Sequence, residues 1–417
     1  MALSAQDEQF LRRALELARQ GVGLASPNPC VGALVVDEKT GEVLGSGSHT
    51  YAGLKHAEIL ALEEAGTRAR GATLYLTLEP CTHQGRTGPC ADAVIKAGIA
   101  RLVSLMPDPN PLVRERGFER LRAAGVAVVV ATGELAEQAR RLNEAFTRYI
   151  RTRLPLVTLK TAMTLDGKIA PPPGESQAPT ALGAGGASGG WITSEEARAH
   201  VHQLRHANDA IMVGVGTVIA DDPLLTDRTG LPRRRPLLRV ILDSRLRLPL
   251  DSRVVKTAKN DVVVFCALAE ERKKRELEQR SVRVEQVPLN AGEPVERVIP
   301  ISQGTQALAP VLRREPSPDG RPDLRKIMER LGDMEMISLI IEGGALVNWA
   351  ALASGVVDKV FLYYAPKILA GTGSVPFASG VGFRRMSDAA YVKSVGIHHF
   401  GEDFAVEGYI RDPYEGL

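Results

Sequence analysis

Two α/β domains in succession, meeting near residues 150–155, are what this sequence predicts. Three observations carry that expectation. The chain has 417 residues, too many for one ordinary domain. Short apolar runs alternate with helical patterns in both halves, and helices between strands imply a sheet covered on both faces. Between the halves a basic connector, RYIRTRLP, precedes a fresh strand-like run, PLVTLKTAM. The expected domains are therefore residues 1–152 and 153–417.

In the first half, Phe10, Ala14, Leu17 and Ala18 keep helical spacing. VGALVVD (Val31–Asp37) reads as a strand and Glu42–Gly47 as its hairpin partner. A helix over His56–Ala65 precedes a strand over Thr73–Leu78. A helix over Cys90–Ala97, a strand over Arg101–Met106, a helix over Glu115–Ala124 and a strand over Val126–Val130 follow. In the second half, strands are expected at Leu156–Ala162, Ala210–Val213, Leu238–Asp243, Val262–Cys266, Ile337–Ile341 and Lys359–Tyr364. Pro171–Gly190, rich in Pro, Gly, Ala and Ser, reads as a flexible loop with no face to pack. Asn290–Arg321 has no sustained periodicity and reads as an excursion.

Composition narrows the function classes. Apolar residues make up 44% and charged residues 24%, ordinary for a globular protein. A net charge of +3 gives no reason to expect nucleic acid or a membrane surface as partner. No apolar run approaches the length that spans a bilayer. The opening stretch MALSAQDEQFLRRALELARQ is charged and amphipathic and lacks a signal-peptide core, so a cytoplasmic enzyme is expected. In a reducing compartment Cys30, Cys81, Cys90 and Cys266 argue for chemistry or packing, not a disulfide framework.

The sharpest motif is LKHAEILAL followed by LEPCTHQGRTGPCADAV. His56 supplies an imidazole, and Cys81 and Cys90 supply thiolates with eight residues between them. One nitrogen and two sulfurs suit a zinc ion with a fourth position open to water. Zinc brings the pKa of such a water toward neutrality. Glu58, two residues after His56, is placed to relay the proton to a departing amine. Cys30 is either a fourth ligand or small buried packing, and Cys266 reads as inert core. Nucleobase deaminases carry H-x-E…P-C-x-x-C; the longer gap here argues against a nucleic-acid deaminase. A third reading, a deaminase-like module without catalysis, would predict loss of His56, Glu58 or a cysteine, and all are present.

The gap THQGRTGPC, with SPNPCVGALVV (Ser26–Val36), His49 ahead of Gly53, and DPNP (Asp108–Pro111), resembles the bifunctional riboflavin biosynthesis deaminase/reductase family. VTLKTAMTLDGKIA, WITSEEARAHVHQLRHANDAIMVGVGTVIADDPLLTDR and LIIEGGALVNWAAL (Leu339–Leu352) resemble the reductase part of the same family. The resemblance implies a cytidine-deaminase-like three-layer domain followed by a dihydrofolate-reductase-like α/β domain. It implies one zinc ion, NADPH and a phosphorylated pyrimidine as small-molecule substrate. It also implies a homodimer through the reductase domain.

Residue by residue, the resemblance implies that Asn28, His49, His83, Arg86, Asp108 and Asn110 hold the deaminase substrate. Lys160, Arg205, Asp221, Leu224, Arg228 and Glu342 are implied for the reductase substrate, together with a serine that is Ser176 or Ser188. Ala162, Trp191, Thr193, Gly214, Gly216, Thr217, Ser244, Gly343 and Gly344 are implied for the cofactor. The residues themselves support part of this. Gly214, Gly216 and Thr217 follow the strand AIMV, and Gly343 and Gly344 follow ISLII. Glycines at such turns let backbone N–H groups approach a phosphate, although a plain tight turn accounts for either equally. NADPH and NADH both remain open, because no separate 2′-phosphate clamp is visible. His202 and His206, four apart on one helical face, offer half of a further metal site. The sequence departs from the family after DPNP: LVRERGF keeps Gly117 but not an earlier glycine.

Overall fold

The computed structural model describes residues 3–82, 88–172, 191–289 and 320–416. Its first part runs α1 (Ala5–Arg19), β1 (Gly32–Asp37), β2 (Glu42–Ser48), α2 (Ala57–Ala65), β3 (Thr73–Leu76), α3 (Cys90–Ala97), β4 (Arg101–Ser104), α4 (Arg116–Ala123), β5 (Ala127–Val130), α5 (Glu134–Leu142) and α6 (Glu144–Thr152). These strands form a five-stranded sheet in the order β2-β1-β3-β4-β5. β1 is antiparallel to β2 and β3, and β3, β4 and β5 are mutually parallel.

The sheet has a helical layer on each face, and two glycines show how tightly those layers pack. A Cβ on Gly32 would lie 2.0 Å from the Ala14 carbonyl oxygen of α1, and one on Gly47 would lie 2.0 Å from the Ala57 oxygen of α2. Gly47 is paired with Ala33, the neighbour of Gly32. Adjacent strand residues face opposite sides, so α1 and α2 lie on opposite faces. α1 begins where Ser4 and Asp7 form a reciprocal capping box. Buried Phe10, Leu11, Ala14, Leu15 and Ala18 then turn toward the sheet.

The second part runs β6 (Leu156–Thr164), β7 (Lys168–Ala170), α7 (Glu195–Ala207), β8 (Ala210–Gly214), α8 (Val215–Asp221), β9 (Leu238–Leu242), α9 (Arg253–Lys256), β10 (Val262–Cys266), α10 (Glu271–Glu278), β11 (Val282–Gln286), α11 (Leu324–Asp333), β12 (Ser338–Ile341), α12 (Ala345–Ala353), β13 (Lys359–Ala365), β14 (Val375–Pro376), β15 (Lys393–Phe400) and β16 (Asp403–Tyr409). Nine of these strands form one sheet, β11-β10-β9-β8-β12-β6-β13-β16-β15. It is parallel from β11 to β13 and antiparallel across β16 and β15.

The expected strands are present, each within a few residues of its expected ends, and the two-part α/β architecture holds. Two expectations need correction. The stretch RYIRTRLP is not a loose connector: α6 carries it as helix through Thr152, leaving Arg153–Pro155 as the link. The strand inventory of the second part was also incomplete, since β7, β11, β14, β15 and β16 were not anticipated. β15 was hidden because exposed and half-buried residues alternate along it without a buried face. Most of the two low-complexity stretches, 173–190 and 290–319, lies outside the described residues.

α6 joins the two parts by more than sequence. Its Glu144 accepts from Lys359 Nζ at 2.7 Å, and Thr147 Oγ1 meets the Tyr414 hydroxyl at 2.8 Å. Arg148 Nε lies 3.4 Å from the buried Asp358 carboxylate. No helix among the described residues is long and apolar enough to cross a membrane.

Candidate active sites

The first site is assembled at the ends of β3, α2 and α3. β3 delivers the chain to Leu78–Pro80 and then Cys81; His56 is the N-cap residue of α2; Cys90 is the first residue of α3. His56 Nδ1 lies 3.1 Å from Cys90 Sγ and 3.6 Å from Cys81 Sγ. The three ligand atoms all lie within 4.8 Å of one another, the one metal-capable cluster of three or more groups among the described residues. Of the two thiols, Cys81 ionises first: hydrogen bonds from Cys90 and His56 hold it below the ordinary thiol range. Cys90, bonded to that thiolate and buried, is pushed up. A nitrogen and two sulfurs converging on one point, with one thiol already easy to ionise, fit a zinc ion.

Glu58, in the first turn of α2, is buried, and burial raises its carboxyl above the ordinary value. It also makes a side-chain hydrogen bond with Cys90. That contact places a buried carboxyl beside the donor cluster. His49, also buried, packs edge-on against His56 with centroids 5.3 Å apart. Its Nδ1 is 2.9 Å from the Lys55 carbonyl, which only accepts, so Nδ1 carries the proton. Nε2 therefore accepts from the Asn28 amide at 3.0 Å. Asn28 and His49 are thus one unit at the cluster's edge.

Asp108 and Asn110 lie in the loop after β4, where Asp108 Oδ1 accepts from the Asn110 backbone at 2.8 Å. Glu79, which the motif reading passed over, builds this loop. Its buried carboxylate accepts from the backbone N–H groups of Asp108 (2.9 Å), Glu115 (2.9 Å), Gly117 (2.7 Å) and Phe118 (3.3 Å). Gly117 is forced by contact, since a Cβ there would lie 2.2 Å from the Pro80 oxygen. Its neighbour Glu115 holds φ at 64°, a left-handed conformation in which glycine is the unstrained residue. His83 and Arg86 lie outside the described residues.

Cys30 is corrected from possible ligand to packing: it is not among the clustered donors. Its backbone exchanges two bonds with the Asn143 side chain, and burial pushes its thiol up to about 12. Cys266 is buried at the end of β10, as expected of core.

The second site lies at the carboxyl ends of parallel strands. Lys160 and Ala162 lie on β6, Glu342 follows β12, and Arg205 comes from α7. Arg205 Nε and NH2 hold the two Glu342 oxygens at 2.6 and 3.0 Å, and Lys160 Nζ reaches the same carboxylate at 3.3 Å. Burial opposes ionisation of Glu342, but the two cations outweigh it and hold its carboxyl down at about 2. Arg205 NH1 also donates to the Thr226 carbonyl at 3.0 Å, tying the cluster to the Leu224–Arg228 segment. Leu224 is half-buried, whereas Asp221 and Arg228 are exposed.

The two glycine turns meet. β8 and β12 are parallel neighbours, so α8 and α12 start side by side. A Cβ on Gly344, the N-cap residue of α12, would lie 3.8 Å from Thr217 Oγ1 of α8. Gly214 and Gly343 are tight against Val347, whereas a Cβ on Gly216 would enter open space. Ser244 follows β9, and its carbonyl accepts from the Leu268 backbone at 2.9 Å. Open α/β sheets take ligands at such carboxyl-end crevices, so the arrangement fits a dinucleotide.

Trp191 and Thr193 lie ahead of α7, with Trp191 exposed beneath Arg198 and Thr193 buried. Ser176 and Ser188 fall outside the described residues. His202 and His206 do not form a metal cluster. His206 Nδ1 pairs with Asp227 at 2.7 Å, while His202 Nδ1 is buried without a hydrogen-bond partner, in the field of Arg205 and Arg228.

Comparison with known proteins identifies both domains. The family model "Cytidine and deoxycytidylate deaminase zinc-binding region" matches residues 4–106, and the model "RibD C-terminal domain" matches residues 155–406. The riboflavin biosynthesis protein RibD of Actinobacillus pleuropneumoniae is 39% identical over 407 residues, 98% of this chain and 96% of that one. The chain belongs to the RibD family. Solved RibD structures share its whole architecture. Acinetobacter baumannii RibD superposes with a TM-score of 0.74 at 31% identity, covering 97% of this chain and 98% of the other. The Thermotoga maritima diaminohydroxyphosphoribosylaminopyrimidine deaminase/5-amino-6-(5-phosphoribosylamino)uracil reductase superposes at 0.72 with 32% identity, covering 97% and 98%. Like other RibD proteins, this chain is a bifunctional deaminase and reductase of riboflavin biosynthesis, with a cytidine-deaminase-like domain followed by a reductase domain.

Proposed function

We propose that the chain deaminates 2,5-diamino-6-ribosylamino-4(3H)-pyrimidinone 5′-phosphate at its first site. It then reduces the ribosyl group to ribityl with NADPH at its second. The observation that carries this reading is the convergence of His56, Cys81 and Cys90 beside the buried acid Glu58. Those three residues would hold zinc, which would supply Lewis acidity to make water a nucleophile near neutral pH. Glu58 takes the proton from the attacking water and delivers it to the departing amine, which a buried carboxyl of raised pKa does well. Asn28 and His49, with Asp108 and Asn110 on the loop that Glu79 holds, orient the ring. His83 and Arg86 are assigned to the same substrate.

At the second site, Lys160, Arg205 and Arg228 receive the substrate's phosphate and sugar, with Asp221, Leu224, Glu342 and one of Ser176 or Ser188. Ala162, Trp191, Thr193, Gly214, Gly216, Thr217, Ser244, Gly343 and Gly344 hold the dinucleotide. NADPH bound there would supply the hydride, and the protein orients it. Glu342 keeps Arg205 and Lys160 in register before substrate arrives, a preorganised pair of cations for a dianion.

We place the domain boundary between residues 152 and 153. We infer a cytoplasmic location, which the four free cysteines suit. A homodimer through the reductase domain is supported by the edge strand β15, where Val395 and Ile397 are exposed apolar residues. The deciding experiment supplies purified, zinc-loaded protein with the diaminopyrimidine phosphate, with and without NADPH. Mass spectrometry of the product should show oxygen in place of one amine, and two further hydrogens only when NADPH is present. Deamination that survives zinc removal would overturn the first assignment.

A further inference from the structure

The geometry points to Arg234, a residue of the reductase half, as a positioning residue for the deaminase site. β9 is preceded by the run Arg233-Arg234-Arg235; Arg233 donates to the carbonyls of Arg205, His206 and Asn208 within the reductase half, whereas Arg234 and Arg235 reach the deaminase domain. The Arg234 backbone N–H donates to the Gly23 carbonyl at 2.8 Å. Its guanidinium donates to the Ser26 carbonyl and lies over the Tyr51 ring, 3.3 Å from the centroid. Arg235 adds a bond to Ser26 Oγ at 3.2 Å, and that hydroxyl donates to Asp209 of the reductase half at 2.8 Å.

The two deaminase segments gripped in this way are those that carry Asn28 and His49. Ser26 is two residues before Asn28, and Tyr51 two residues after His49. The Tyr51 backbone donates to the Leu24 carbonyl at 3.1 Å, so the segments are also tied to each other directly beneath the arginine. Both segments are irregular chain rather than helix or strand. Sheet-type bonding reaches His49, whose N–H donates to the Val31 carbonyl at 3.0 Å, but it does not extend to Ser26 or Asn28, and the guanidinium braces that side. The Asn28–His49 hydrogen bond at 3.0 Å depends on that separation, and a displacement of an ångström at such a pair is costly to substrate orientation. An arginine fits the role because its planar fork can donate along its edge while its face stacks on an aromatic ring.

Arg234 touches none of the clustered zinc donors. Its loss is therefore expected to change substrate binding and leave the metal in place. The inference rests on Asn28 and His49 being substrate contacts, and Asn28→Ala tests that reading separately.

The experiment uses the full chain, zinc-loaded, with the half-reactions assayed apart: deamination of the diaminopyrimidine phosphate, and NADPH-dependent reduction of the supplied deaminated product. Arg234→Ala should raise the deaminase KM about tenfold or more, as expected for a lost charge-assisted bond, with kcat changed less and zinc content unchanged. Arg234→Lys should restore only part of the loss, because an ammonium cannot stack and fork together. Reductase kcat/KM should stay within about twofold. Tyr51→Leu, made in the deaminase half, should reproduce the KM rise and decides the matter if Arg234→Ala does not fold. An unchanged deaminase KM in these variants, or equal loss of both half-reactions, overturns the inference. If Asn28→Ala also leaves KM unchanged, it is the substrate-contact reading that has failed; if Asn28→Ala raises KM while Arg234→Ala and Tyr51→Leu do not, only the bracing role has.

Discussion

Arg205 meets Glu342 as a fork on a carboxylate, Nε to Oε1 at 2.6 Å and NH2 to Oε2 at 3.0 Å. Both groups are largely buried, so the pair is set before substrate binds. Arg205→Ala should lower reductase kcat/KM about 10- to 100-fold, the range for a bond to a charged group, and leave deamination intact. Separate half-reaction assays check this; equal damage to both would make Arg205 a support of the fold.

The same pair gives a pH prediction. Glu342 ionises near 2 in the folded protein against an ordinary 4.5. A depressed carboxyl contributes stability that is fully present above the ordinary value and lost as pH falls through the folded one. Acid unfolding should therefore include a component between about pH 4.5 and 2 that Arg205→Ala shifts upward. Denaturant melts at stepped pH read it, and identical profiles for both proteins would refute it.

Glu58→Gln should keep zinc and lose deamination by ~100-fold or more, the scale of a positioned general acid/base. The amide preserves the shape but carries no transferable proton. Metal analysis of the pure variant decides: loss of zinc with activity would make Glu58 a ligand.

Glu79→Gln should destabilise the protein by about 2–3 kcal/mol, because an amide nitrogen would face backbone donors where a carboxylate oxygen accepted them. A denaturation midpoint within error of the parent would show that the loop does not need the charge. Conversely, Glu115→Gly should be neutral or stabilising by up to about 1 kcal/mol, since the left-handed φ costs glycine nothing sterically.

Residues 1–152 expressed alone should fold around their own five-stranded sheet and bind one zinc ion. The fragment lacks Arg234, so its deaminase KM should rise at least as far as in Arg234→Ala. A fragment with the parent KM would argue against the bracing role.

The zinc ligands were legible because His56, Glu58, Cys81 and Cys90 lie in short motifs whose chemistry is local. The parallel core was legible for a related reason: strands such as Val262–Cys266 are continuous apolar runs, buried throughout. What was missed depends on long-range contact. Glu79 looks like one more charged residue until four backbone donors from a segment more than 25 residues away converge on it. Arg234 and Arg235 look like part of a solvated charge run until Ser26 and Tyr51 are brought across from the other half. β15 escaped because an edge strand with no buried residue prints no apolar pattern in its sequence.

The bond between Thr147 and Tyr414 spans 267 residues of chain. A ribosome makes the deaminase half first, and that half can close its own sheet at once. The outward face of α6 nevertheless stays uncovered until residues 358–414 have emerged, because Glu144 meets Lys359, Arg148 meets Asp358 and Thr147 meets Tyr414 only then. During that interval the nascent chain presents an unpaired carboxylate and guanidinium on one helix, while the Thr147 hydroxyl has only the Asn143 carbonyl. Completion of the reductase half is therefore also the last step in maturing the surface of the deaminase.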